Sequence, residues 1–139
     1  VRATYVADLT SSPVAVLTRL ADPSAWPSFV GGLSVASITP DLRVPDRCEV
    51  EISFVDPRPF RLRVQVGRHA GGVSILMVHG DLSGVDLRVE VAPSGNGSTV
   101  HAALELLPSQ PLPGAFRAEL ETALLPRWFA ALEAGLRAA

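Results

Sequence analysis

The chain has 139 residues, about one domain's worth, and 47% of them are apolar, enough for a single sizeable core. Charged residues make up 19%, with 12 basic against 14 acidic side chains and a net charge of −2, so there is no general field to attract nucleic acid or an anionic surface. All of the basic residues are Arg, which excludes Schiff-base and P-loop lysine chemistry, and the lone Cys48 excludes an internal disulfide or a cysteine-rich zinc site. The longest apolar runs are too short to span a bilayer and no signal-peptide pattern opens the chain at Val1. The expectation is therefore a cytoplasmic protein without integral membrane association.

In chain order, Arg2 to Leu9 reads as a first strand. Ser12-Pro13 then supplies a cap and a first-turn proline for a helix whose apolar residues are Val14, Val16, Leu17 and Leu20. Asp22-Pro23 repeats that signal before a second short helix carrying Trp26 and Phe29, which Pro27 and Gly31-Gly32 end. From Leu33 the hydrophobic period changes to two. Six strands are expected over Leu33 to Thr39, Arg47 to Val55, Phe60 to His69, Val73 to Leu82, Val85 to Val91 and Ser98 to Leu107, separated by Pro-, Gly- and Asn-rich turns. Short links predict antiparallel neighbours. The sets Cys48/Val50/Ile52/Phe54, Leu62/Val64/Val66, Leu87/Val89/Val91 and Val100/Ala102/Leu104/Leu106 predict one dry face. Ala115 to Arg137 is the longest helical stretch, and Pro126 predicts a kink near Thr122 to Pro126.

This order of elements predicts a single α+β domain over residues 1–139: a curved antiparallel sheet of seven strands wrapped around a long C-terminal helix, with two short helices after the first strand. Such a bent sheet can enclose an apolar space of roughly 300 to 1,000 Å³ or close on a solid core, and alternation alone serves both. The run Ser12-Pro13-Val14 through Asp22-Pro23-Ser24-Ala25-Trp26-Pro27-Ser28-Phe29-Val30-Gly31-Gly32-Leu33 resembles the entry helices of the START-like polyketide cyclase/dehydrase superfamily, with its D-P-x-x-W-P-x-F/W-x-x-G turn. Gly80-Asp81-Leu82, Ser98-Thr99-Val100 and the interrupted terminal helix extend the resemblance over essentially the full length. Pro45-Asp46 departs from the glycine that many relatives carry before the third strand. The resemblance implies the helix-grip fold and a cavity for lipids, quinones, polyketides or other hydrophobic molecules, in some members with cyclisation, aromatisation or dehydration. It carries over no fixed catalytic set.

The residues expected to line the cavity are Trp26, Phe29, Phe54, Leu62, Val64, Met77, Leu104, Leu124 and Trp128; each also suits an ordinary core. His79 is in phase with Ile75 and Met77, so if that set points inward it places an imidazole suited to acid–base work in the chamber; the phase of Leu76 and Val78 is equally apolar and would put it outside. Arg68 follows Leu62, Val64 and Val66 in phase, and Arg127 falls near the direction of Phe116 and Leu120, so either could stabilise an enolate or carboxylate oxygen or reach water instead. His101 is expected to be solvated, His69 sits at a turn, and the histidines with Cys48 match no metal-ligand spacing, so neither metal nor cofactor is expected. Glu49 and Glu51 are expected to share the solvent face with Arg61 and Arg63, which neutralises the one basic cluster. Three functions remain: a cyclase/dehydrase-type enzyme in which His79 shuttles a proton, a non-catalytic lipid or quinone carrier, and an interaction module with a solid core. The expected partner is a hydrophobic small molecule and not nucleic acid, with a homodimer left open.

Overall fold

The computed structural model describes residues 2–55, 59–81, 84–106 and 118–138. Strand β1 (Arg2–Leu9) leads into α1 (Pro13–Leu20) and a 3₁₀ segment (Pro23–Ser28). The meander β2 (Leu33–Pro40), β3 (Arg47–Phe54), β4 (Phe60–His69), β5 (Gly72–Gly80), β6 (Val85–Ser94) and β7 (Gly97–Leu106) follows. A π-helical turn (Leu120–Leu124) then runs into the terminal helix α2 (Leu125–Ala138). All seven strands form one antiparallel sheet in the order β1-β7-β6-β5-β4-β3-β2, as the alternation predicts. Expected strand ends at Leu82 and Leu107, and the expected helical stretch over Ala115 to Arg117, lie outside the described residues.

Local chemistry explains the helices. Ser12 accepts from the Ala15 amide at 3.3 Å and Pro13 opens α1, so the first-turn donors are capped or absent. The second short helix is 3₁₀ and not α because Pro27 has no N–H to give to Pro23 one α-turn back; Ala25 and Phe29 bond instead to the carbonyls of Asp22 and Trp26, at 3.0 and 3.1 Å. At the other end of the chain, Pro126 likewise removes a donor and crowds the preceding turn. The helix accommodates it by widening: the Leu125 amide donates to Leu120, five residues back, and the Thr122 hydroxyl donates to the Ala118 carbonyl at 2.6 Å. The expected kink is thus a π-turn.

Inward-facing residues fall in rows across the sheet. Val50 opposes Val64, Val66 opposes Ile75, Val73 opposes Val89, and Val91 opposes Val100. Val16, Leu17 and Leu20 of α1, Trp26 and Phe29, and Leu125, Phe129 and Leu132 of α2 complete the buried core. On the solvent face Glu51 opposes Arg63, with 3.6 Å between their charged groups, so the basic cluster of β4 is partly neutralised.

Strand β1 lies at the sheet edge, and carboxylates of the π-turn and the terminal helix bond to one amide of β1 and one just after it. Glu121 accepts from the Thr4 amide at 2.8 Å; Glu133 accepts from the Thr10 amide at 2.6 Å and the Thr10 hydroxyl at 2.7 Å. Tyr5 stacks on Phe129 with ring centroids 5.6 Å apart. The two Thr10 bonds hold the Glu133 carboxyl below the usual carboxylate range. A depressed carboxyl stabilises the fold above its unfolded pKa, near 4.3, and that contribution is lost as pH falls through the folded value. Glu133→Ala is therefore expected to cost about 1 kcal/mol at pH 7, where two charge-assisted bonds are made near the surface. Urea unfolding of both proteins between pH 7 and pH 3 checks it: the gap should close on acidification, and a gap that persists at pH 3 contradicts the assignment.

Candidate functional site

The inner face of the sheet has three zones. In the middle, Leu62, Val64, Val66, Val73 and Val89 are all at most 5% exposed. Towards one end Met77, Val85, Phe54 and Leu106 point inward by register yet stay only half-buried, as do Ile75 and Leu87 in the row of Val66. Leu124 and Trp128 of the terminal helix are half-buried as well. Apolar side chains on an inward face normally lose nearly all their exposure, so accessible surface there marks a part of the sheet–helix interior that the described residues leave incompletely covered.

At the opposite end, beyond Val66, lies a concavity of about 370 Å³. Cys48 and Val66 form its floor, Thr18 of α1 and the capping Ala21 one wall, and Val44 and Pro45 of the β2–β3 loop the other, with Arg68 at its rim. A smaller hollow of about 280 Å³ on the other side of that loop shares Arg68 and reaches Gln65 and Leu76. Burial raises the Cys48 thiol above its ordinary pKa, so it stays protonated and behaves as apolar floor.

The sequence-predicted residues separate accordingly. Trp26 is buried and donates its indole N–H to the Leu20 carbonyl at 2.9 Å, which ties the 3₁₀ segment to α1 and leaves no donor for a ligand. Phe29, Leu62, Val64 and Leu104 are packed core. Phe54, Met77, Leu124 and Trp128 are the ones with accessible inner surface. Arg68 does continue the inward row of β4, past Val66, and ends at the rim of the 370 Å³ concavity.

His79 and Arg127 require correction. A β-bulge interrupts the β4–β5 pairing: Met77 opposes Val64, Val78 is the extra residue, and His79 opposes Arg63. The bulge shifts the side-chain phase by one, so His79 lies on the outer face, exposed, although Met77 two residues earlier points in. Arg127 is exposed because the buried stripe of α2 runs Leu125, Phe129, Leu132, and position 127 lies about 200° from Leu125 around the helix axis. The expected catalytic trio is not brought together. Sequence reasoning missed Cys48, Ala21 and the Val44-Pro45 wall; the shared inward phase of Cys48 and Val66, which pair directly, was the available signal.

No protein-family model matches the chain, and no curated protein does. Solved structures do. A START superfamily protein from Mycobacterium smegmatis superposes with a TM-score of 0.78 at 15% identity, covering 99% of this chain and 97% of that one. The fold is START-like. The same helix-grip arrangement relates the chain to TTHA0849 from Thermus thermophilus, with a TM-score of 0.77 at 16% identity over 99% and 98% of the two chains. It also relates it to the KanY protein, at 0.74 and 17% over 99% and 97%. At these identities the likeness concerns the START-like architecture alone, which is the one expected from the D-P-x-x-W-P turn. Among the described residues no helix is long and apolar enough to cross a membrane.

Proposed function

We propose that the protein binds a hydrophobic small molecule between the inner face of its sheet and the terminal helix, and acts as a carrier or binding protein. The observation that carries this reading is the half-buried state of Phe54, Ile75, Met77, Leu87, Leu124 and Trp128, inward-phase or helix-borne apolar side chains that keep accessible surface while their neighbours are fully packed. Covering that surface with a guest removes it from water at roughly 25 cal/mol per Å². The START-like architecture supports the same reading. A carrier is favoured over a cyclase or dehydrase because the proton shuttle assigned to His79 would have to work from the outer face of the sheet, away from any guest in the chamber.

The test is titration with the neutral apolar fluorophore N-phenyl-1-naphthylamine. Saturable binding at one site is expected, with energy transfer from the half-buried Trp128. Met77→Trp, which fills the chamber, should weaken binding at least 10-fold while circular dichroism shows a folded protein. Leu87→Trp is the second filling variant should the first disturb folding. Absence of saturable binding overturns the reading in favour of a solid core, and equal binding by a folded filled variant overturns it by placing the dye outside the chamber.

A further inference from the structure

We propose that the concavity rimmed by Arg68 is a second binding site, distinct from the sheet–helix chamber, which takes a small molecule with an apolar body and a single carboxylate. Its volume of about 370 Å³ falls within the range of small-ligand sites. Its lining includes none of Phe54, Met77, Leu87, Leu124 or Trp128, and Val64, the fully packed partner of Met77, is the next inward residue of β4 after Val66, so a guest here is not a guest at the Met77 end of the chamber.

The walls are apolar and the charges are sorted. Val66, Cys48, Ala21, Val44 and Pro45 offer hydrocarbon or a protonated thiol to the ligand's body. Four charged residues line the rim: Asp41, Asp46, Arg47 and Arg68. Asp41 is already engaged, accepting from the Arg43 amide at 2.9 Å and lying 3.7 Å from the Arg47 guanidinium. Arg47 can in addition donate to Gln65, its side-chain amide turned, at 2.8 Å. Arg68, in contrast, forms no ion pair among the described residues. Its planar fork of donors is free for a bidentate carboxylate.

The rim is held ready for a guest. The Arg68 amide donates to the Asp46 carbonyl at 2.9 Å and the Asp41 amide to the Arg47 carbonyl at 2.9 Å, which pins the β2–β3 loop to the end of β4. Asp46 itself sits in the left-handed region at φ 61°, a conformation Asp tolerates, and this turns the loop over the floor. Its carboxylate leaves the rim with no net positive charge, since the two aspartates balance the two arginines. A dianion such as a phosphate monoester would be repelled by Asp46 more than a monoanion is, and for this reason the structure assigns a monocarboxylate.

The probes are hexanoate and its neutral isostere hexanamide, followed by amide chemical shifts in the intact protein. Hexanoate should shift the amides of Thr18, Ala21, Cys48 and Val66 to Arg68 saturably, and bind at least 10-fold more tightly than hexanamide. Arg68→Gln, on an exposed side chain and expected to fold normally, should abolish that preference; Arg68→Lys should keep part of it; Asp46→Asn should tighten hexanoate about 3-fold. Met77→Trp should leave hexanoate binding unchanged, which separates this site from the chamber. The proposal is overturned if hexanoate and hexanamide bind alike, if the preference survives in Arg68→Gln, or if the shifts spread over surface arginines without saturating.

Discussion

Leu132→Ala is expected to lower the stability of the protein by about 2 to 5 kcal/mol, the range for deleting a buried leucine side chain. Leu132 is 0% exposed and belongs to the buried stripe by which the terminal helix enters the core. The loss has two parts, the transfer free energy of the deleted methyl and methylene groups and the cavity left behind. Collapse into that cavity is hindered because the helix is fixed on both sides of it, by Glu133 on Thr10 and by the Tyr5–Phe129 stack. The measurement is a urea midpoint at unchanged m-value, accompanied by a drop in Tm of about 2 to 6 °C per kcal/mol. Leu42→Ala is the control: Leu42 is 99% exposed, and its truncation should change stability by less than about 0.5 kcal/mol. A loss below about 1 kcal/mol for Leu132→Ala would mean that the helix is not docked through this residue.

Gly97→Ala should be nearly as damaging, at about 3 kcal/mol, for a different reason. A Cβ at this position would run into the Leu9 carbonyl oxygen, with the Leu9 carbonyl carbon and Thr10 Cα each at 3.1 Å. These are backbone atoms of β1 and its exit, so no rotamer change relieves the contact, and overpacking of this kind commonly costs about 1 to 3 kcal/mol. Separation of β1 from β7 would also disturb the Leu9 to Ser98 pairing and the bond from the Ser98 hydroxyl to the Ser11 carbonyl, 2.7 Å long and part-buried. Hydrogen exchange should therefore show loss of protection concentrated in β1. Two other glycines calibrate the result. Gly31 has open space and no left-handed φ, so Gly31→Ala should be close to neutral; Gly95 has open space but a φ of 57°, so its alanine variant should show only the backbone penalty of about 1 kcal/mol. If Gly97→Ala costs no more than Gly95→Ala, the close approach of β1 is absent in solution.

Much of the fold was legible because it rests on local chemistry. Period-two alternation from Leu33 onward placed six strands, and Ser12-Pro13 and Asp22-Pro23 placed the two short helices. The candidate site was legible only in part. Arg68 lies where its phase with Leu62, Val64 and Val66 put it, because β4 is regular from Val64 to Arg68. His79 does not, because Val78 is an extra residue relative to the partner strand, and an extra residue is defined only by pairing. Trp26 offered an indole donor that a ligand could have used; folding directs it to the Leu20 carbonyl six residues back.

What the amino-acid order determined unaided is which residues alternate, where helices are capped and where prolines forbid an α-turn, since each depends on atoms within a few positions along the chain. The three-dimensional arrangement alone decided which end of the inner face is fully packed, that Gly97 must lack a side chain, and that a hollow forms beneath the β2–β3 loop beside the Arg68 guanidinium. Those outcomes are contacts between segments far apart in sequence, fixed by strand register and helix docking.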